Sequence, residues 1–161
     1  MIPPFAHPCL VVPNLEIARI FYQAMFGFEA ISDESEEVSR GNSGECGSQT
    51  PTPRSCLMKG RNCFLELTED PECIISNGMV HFRDLDETGM SHLTFYVDDC
   101  WAGYKRFLAF GGTMMGIPTG DSEQGYSVYC RDPFGNITEL IEVPKQGETL
   151  HEPPEISSLV R

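Results

Sequence analysis

Near its start the chain places a histidine, His7, ahead of a short apolar run, Leu10 to Val12. It turns polar at Asn14, and apolar residues then recur at helical spacing. Ile17, Ile20, Phe21 and Ala24 share one stripe of a predicted helix, with Asn14 placed to cap its start and Gly27 to stop it. The same order returns from His92: a strand, a cap at Asp98 or Asp99, a helix with Trp101, Tyr104 and Leu108 on its stripe, and a stop at Gly111-Gly112. His92 lies 85 positions after His7, and the same offset pairs Val12 with Val97, Asn14 with Asp99, Tyr22 with Phe107 and Gly27 with Gly112. An internal repeat of this kind sets the architecture before any other signal is read.

Three further strands follow each predicted helix. In the first copy they are Glu29 to Ser32, Ser55 to Lys59 and Cys63 to Thr68; in the second, Thr113 to Ile117, Tyr126 to Arg131 and Ile137 to Val143. The pattern predicts an α+β chain of two βαβββ modules. The first spans 1–68 and carries a Gly/Ser/Thr/Pro-rich insertion near 33–54. A linker (69–91), a second module (92–143) and a tail (144–161) follow.

The last strand of the second module contains an awkward residue. Ile137, Glu139, Ile141 and Val143 share a face, so a carboxylate stands in an apolar row. Burying it uncompensated costs several kcal/mol. Either that face is wet or something positive sits on Glu139. The first module has its counterpart in Glu66, between Leu65 and Leu67. His7 to Glu66 spans 59 positions and His92 to Glu139 spans 47, and the polar insertion absorbs the difference. Strand alternation turns Leu10, Val12, Leu65, Leu67, Leu93, Phe95 and Val97 toward the helices. His7, Glu66, His92 and Glu139 are left on the opposite sheet face, together with Cys9, Thr94 and Tyr96, which become candidate pocket residues. If the two sheets curl toward each other, two imidazoles and two carboxylates converge. That donor set suits a divalent ion of the Zn, Ni, Co, Mn or Fe(II) group.

Composition narrows the partners. The net charge of −13 argues against nucleic acid, which rewards clustered Lys and Arg. No apolar run approaches the roughly 18 residues of a membrane span, and the N-terminus has no basic-then-apolar leader. Seven cysteines, an odd count without a C-x-x-C pair, read as reduced thiols in a cytoplasmic protein.

The stretches "HPCLVVPNLEIARIFYQAMFGFE", "FLELTE", "HLTFYVDD" and "DPFGNITELIE" together resemble the vicinal oxygen chelate superfamily, which includes glyoxalase I, methylmalonyl-CoA epimerase, extradiol dioxygenases and antibiotic-resistance proteins. The resemblance implies paired βαβββ modules forming an open, barrel-like metal-binding cleft, with metal ligands at His7, Glu66, His92 and Glu139. It implies a small-molecule substrate that chelates through adjacent oxygens, and a homodimer, in some members with the site shared between chains. By likeness to glyoxalase I the expected reaction is proton transfer through a metal-bound enediolate, as in a lyase, isomerase or epimerase, with Glu66 or Glu139 as the base. Two departures weaken glutathione recognition: Val11 stands where a basic residue is expected, and Glu69-Asp70-Pro71 follows the first glutamate strand. Arg40, Arg54, Arg61, Arg83, Lys105 and Arg131 are candidates for a substrate anion. The rival readings are an Fe(II)-dependent dioxygenase and a non-catalytic, drug-binding resistance protein.

Overall fold

Both helices begin where the sequence supplies a cap. In this computed structural model, which describes residues 4–34, 54–70 and 84–142, strand β1 (Cys9–Val12) leads into Asn14. Its side chain accepts from the Ile17 N–H at 2.9 Å and starts α1 (Leu15–Phe26). The helix ends at Gly27, whose positive φ of 69° carries the chain out while its N–H closes on Gln23. Strand β5 (Leu93–Val97) leads likewise into Asp99, which accepts from the Ala102 N–H at 2.8 Å and starts α2 (Cys100–Ala109). A second acceptor serves each helix start from across the sheet: Glu69 Oε1 takes the Leu15 N–H and Glu142 Oε2 the Cys100 N–H. Carboxylates there satisfy otherwise orphaned donors and complement the helix dipole.

The remaining strands are β2 (Glu29–Glu34), β3 (Ser55–Lys59), β4 (Phe64–Glu69), β6 (Thr113–Met114), β7 (Thr119–Asp121), β8 (Gly125–Arg131) and β9 (Ile137–Glu142). They form two sheets, ordered β1-β4-β3-β2 and β5-β9-β8-β6, with β7 also paired to β8. In each sheet the first strand runs parallel to the last. The architecture is therefore α+β, with a βαβββ pattern in each sheet. The expected strand Thr113 to Ile117 breaks at Met114 and pairing resumes at Thr119, because Pro118 between them has no N–H to give a ladder. Residue 143, the tail, the linker residues 71–83 and residues 35–53 of the expected insertion lie outside the described residues.

The expected helix stripes are corrected. In α1 the buried residues are Leu15, Ala18, Phe21 and Tyr22, whereas Ile17 and Ile20 are 51% and 62% exposed. In α2 Cys100 and Phe107 are buried and Trp101 and Leu108 are exposed, while Tyr104 packs against the core. The reason is close approach. Gly103 lies over Leu140, and Gly112 lies so near the Phe107 ring that an added Cβ would fall 2.3 Å from it. The small-residue face can approach the sheet; the Trp101 face cannot.

The two units share one core. Phe21 meets Phe107 edge-on at 5.1 Å between centroids, and Phe26 stacks on Phe95 at 3.8 Å. The Tyr22 hydroxyl donates to Asp132 Oδ2 over 2.9 Å, a buried bond between units. Among the described residues no helix is long and apolar enough to cross a membrane, and the described cysteines are free thiols.

Candidate functional site

The internal repeat holds in three dimensions down to strand register. Cys9 is opposite Glu66 on the β1–β4 pair, and Thr94 is opposite Glu139 on the β5–β9 pair. On their other sides Glu66 faces Leu57 of β3 and Glu139 faces Tyr129 of β8. His7 and His92 stand just ahead of β1 and β5, so each imidazole sits at the mouth of the strand that flanks its glutamate.

Each histidine meets its own glutamate. His7 Nδ1 lies 3.8 Å from Glu66 Oε2, and His92 Nε2 lies 3.4 Å from Glu139 Oε2. Both separations exceed an ordinary N–H···O bond. Accordingly, His7 Nδ1 is a buried nitrogen without a hydrogen-bond partner, although the ring as a whole is partly exposed. His92 is oriented from its far side, where Nδ1 is 2.7 Å from Ser91 Oγ. When that contact holds the ring proton, Nε2 turns a lone pair toward the carboxylate.

Sequence reasoning missed the environment of Glu139. Thr94 Oγ1 donates to Glu139 Oε2 over 3.0 Å. Tyr129 sets its ring edge-on to His92 at 5.2 Å and lies directly opposite Glu139 in the β8–β9 ladder. The Tyr129 phenol is raised above its ordinary value, first by burial and then by the neighbouring Glu139 carboxylate, so it stays protonated at neutral pH. The signal was present: Val128 and Cys130 are apolar and buried, so alternation turns Tyr129 onto the glutamate face. Of the expected pocket residues, Cys9 is exposed and contacts Thr68 Oγ1 at 3.3 Å; Thr94 holds Glu139; Tyr96 is 54% exposed.

Ligands sharing one cation through bonds of about 2.0–2.2 Å lie roughly 3–4 Å apart, and both His–Glu separations are in that range. The unpartnered His7 nitrogen and a set of two imidazoles and two carboxylates also suit such an ion. The two pairs nevertheless do not meet within one chain. Among the described residues no three His, Cys, Asp or Glu side chains are grouped closely enough to hold one metal. Each pair on its own supplies two donors, one imidazole and one carboxylate. β1 and β5 are both terminal strands of their sheets, so the halves lie near sheet edges. Val11 and Tyr96, equivalent in the repeat and paired with Thr68 and Ile141 in their ladders, are both strongly exposed.

Of the cationic candidates, Arg54 is engaged by Glu16 and Glu69, and Arg131 by Asp84 and the Gly135 carbonyl. Lys105 lies on an exposed position of α2, and Arg61 is exposed just ahead of β4. Arg40 and Arg83 lie outside the described residues.

Comparison with known proteins supports the architecture. No curated protein sequence matches the chain. Among solved structures, the genomically encoded fosfomycin resistance protein FosX of Listeria monocytogenes aligns at 18% identity and a TM-score of 0.60, over 93% of this chain and 97% of its own. A second FosX structure, of a mutant complexed with Mn(II) and 1S,2S-dihydroxypropylphosphonic acid, aligns at 18% identity and 0.59, over 88% and 93%. A glyoxylase/bleomycin resistance protein/dioxygenase domain of Frankia sp. EAN1pec aligns at 15% identity and 0.60, over 95% and 98%. At these identities the likeness is one of fold. Residues 5–140, which hold both sheets and all but the end of β9, match the family model as well, and the chain thus belongs to the Glyoxalase/Bleomycin resistance protein/Dioxygenase superfamily.

Proposed function

We propose that the protein is a divalent-metal-dependent enzyme that moves a proton next to a carbonyl in a small, oxygen-chelating substrate, as a lyase, isomerase or epimerase of the glyoxalase I type. Its working form is a homodimer in which His7 and Glu66 of one copy face His92 and Glu139 of a second. The observation that carries this reading is the pair of matched His–Glu contacts, each an incomplete ligand set within its own chain. Support also comes from the superfamily and from the Mn(II) complex of FosX.

When bound, the ion would act as a Lewis acid toward the substrate oxygens. Ser91 orients His92 and Thr94 orients Glu139, with Tyr129 opposite Glu139 on β8. Tyr96 and Val11 offer apolar surface to the substrate or to the second copy. One of the two glutamates accepts the proton and returns it. Dioxygenase chemistry would instead require Fe(II) with positions open for oxygen and substrate, and a metal-free drug trap would have no use for two matched pairs.

The test is complementation. His7→Ala and His92→Ala variants, each differently tagged and co-expressed, are purified as heterodimers and assayed for Zn, Ni, Co, Mn and Fe by elemental analysis. A shared site gives a heterodimer with one intact and one doubly damaged site, so metal returns to about half the wild-type content, while both variant homodimers are depleted. Failure of the heterodimer to regain metal refutes the shared site. A folded wild type that stays empty after reconstitution refutes the metal enzyme. Oxygen uptake with catechols would favour the dioxygenase.

A further inference from the structure

The register of the first sheet puts a cation on the glutamate face. Cys56 and Met58 of β3 are fully buried, so alternation turns Ser55, Leu57 and Lys59 to the other side. There Leu57 lies opposite Glu66 and Lys59 opposite Phe64. Lys59 is therefore the diagonal neighbour of Glu66, a backbone separation of about 7–8 Å that a four-carbon lysine stem can span. Leu57 and Phe64 are half-buried beside it and give this part of the face an apolar floor, while Lys59 itself is exposed.

In a chain with 24 acidic residues against 11 basic ones, a cation is readily taken up by a neighbouring carboxylate. Arg19 lies 3.9 Å from Glu16, Arg54 is held by Glu16 and Glu69, and Arg106 donates to the Ala24 carbonyl. Arg131 occupies the position equivalent to Lys59, two residues beyond Tyr129 as Lys59 is two beyond Leu57, and it is engaged by Asp84 and the Gly135 carbonyl. The Lys59 ammonium makes no hydrogen bond or ion pair among the described residues, although Glu29 stands opposite it on β2. Lys105 is likewise unengaged, but it lies on α2, on the core side of the second sheet.

We propose that Lys59 is a specificity-determining residue, whose ammonium receives a negatively charged group at the far end of the substrate, a carboxylate or a phosphonate, while the chelating oxygens lie at the His–Glu pairs. The inference deepens the metal-enzyme reading above and rests on it. Glu66, Glu139 and the net charge of −13 repel an anionic molecule, so such a substrate needs a fixed positive charge away from the ion. A lysine supplies it as a point charge with three rotatable donors, which suits either kind of oxyanion. The apolar floor of Leu57 and Phe64 then runs under the short carbon chain that joins the two ends.

The test uses the full-length protein loaded with Ni(II), Co(II) or Mn(II), whichever it retains after dialysis, and four probes read by isothermal titration. Acetohydroxamate carries a chelating head alone; succinic monohydroxamate adds a carboxylate tail, its terminal amide a neutral tail of the same shape, and its phosphonate analogue a phosphonate tail. The wild type should bind one of the charged tails about 5- to 10-fold more tightly than the amide, by a margin that shrinks as salt is added. The better tail assigns the substrate class. Lys59→Met should abolish the preference while keeping the ion and the affinity for acetohydroxamate, and Lys59→Arg should retain it. Equal binding of the charged and amide tails by the wild type, or a preference that survives in Lys59→Met, would overturn the role of Lys59 and leave the metal site standing. A folded wild type that retains none of these ions would overturn both.

Discussion

The bond between Tyr22 and Asp132 joins α1 of one unit to the turn that launches β9 of the other, and removing its donor tests how the units are held. Asp132 is 2% exposed and receives four donors: Tyr22 Oη and Asn136 Nδ2 at Oδ2, and the Phe134 and Asn136 N–H groups at Oδ1. Tyr22→Phe keeps the ring and its packing and deletes one donor. A hydrogen bond to a buried charged acceptor contributes about 1.5–3 kcal/mol and one between neutral groups about 0.5–1.5 kcal/mol. The cost at neutral pH should therefore be about 2 kcal/mol, a sizeable share of the roughly 5–15 kcal/mol that stabilises a domain.

The sign of the pH dependence follows from Asp132. Burial raises its carboxyl above the ordinary value of 3.8, against the lowering effect of its hydrogen bonds to Asn136, Tyr22 and Phe134. The folded protein thus keeps a proton on Asp132 at pH values where the unfolded chain has lost it. That contribution to stability is present below 3.8 and disappears as pH rises through the raised folded value. Deleting the Tyr22 donor removes one lowering influence and raises the carboxyl further. The penalty of Tyr22→Phe should accordingly grow as pH rises from about 4 to about 7, measured as the wild-type-minus-variant difference in urea unfolding. A penalty below about 0.5 kcal/mol at neutral pH would fall short even of a neutral bond, and a penalty independent of pH would show that Tyr22 does not act on an ionised carboxylate.

Three further outcomes are expected from urea denaturation with a fold check by circular dichroism. Gly112→Ala places a methyl 2.3 Å from the Phe107 ring and 3.0 Å from the Arg131 carbonyl, and should cost about 1–3 kcal/mol; an unchanged midpoint would contradict the close approach of α2. Ile20→Lys should alter stability by no more than about 0.5 kcal/mol, whereas Phe21→Ala should cost about 3–5 kcal/mol; comparable losses would mean that α1 buries the other stripe. Asn14→Ala and Asp99→Ala should each cost about 1 kcal/mol and add nearly independently, since each cap serves its own helix.

Local signals were legible wherever local physics decides. The caps at Asn14 and Asp99, the glycine stops and the strand Ser55 to Lys59 stand where the residues indicate, because a cap or a positive φ constrains only its neighbours. The superfamily was legible for the same reason: two copies of one pattern repeat the same local choices, down to Cys9 opposite Glu66 and Thr94 opposite Glu139. The helix stripes were not. Tyr22 looks like a poorer core residue than Ile17 or Ile20 until Asp132, 110 positions away, supplies a partner for its hydroxyl. Likewise α2 presents two plausible apolar faces, and only the room left by Gly103 and Gly112 selects the one that meets the sheet.

The arrangement of the half-sites shows the same boundary at larger scale. Alternation places His7, Glu66, His92 and Glu139 on the site faces of their sheets, but it cannot say which two sheet faces look at each other. That choice is made by contacts between the units: Phe21 on Phe107, Phe26 on Phe95 and Tyr22 on Asp132. These contacts join the units through the side opposite the glutamates and commit the core to one chain, so one fold leaves the two matched His–Glu pairs apart. In the dimer proposed above, a second copy would bring a complementary pair to each without disturbing that core. Because the pairs differ at Cys9 and Thr94, and at Leu57 and Tyr129, a site completed across the proposed dimer would combine two different carboxylate surroundings, which two copies of a single pair could not provide.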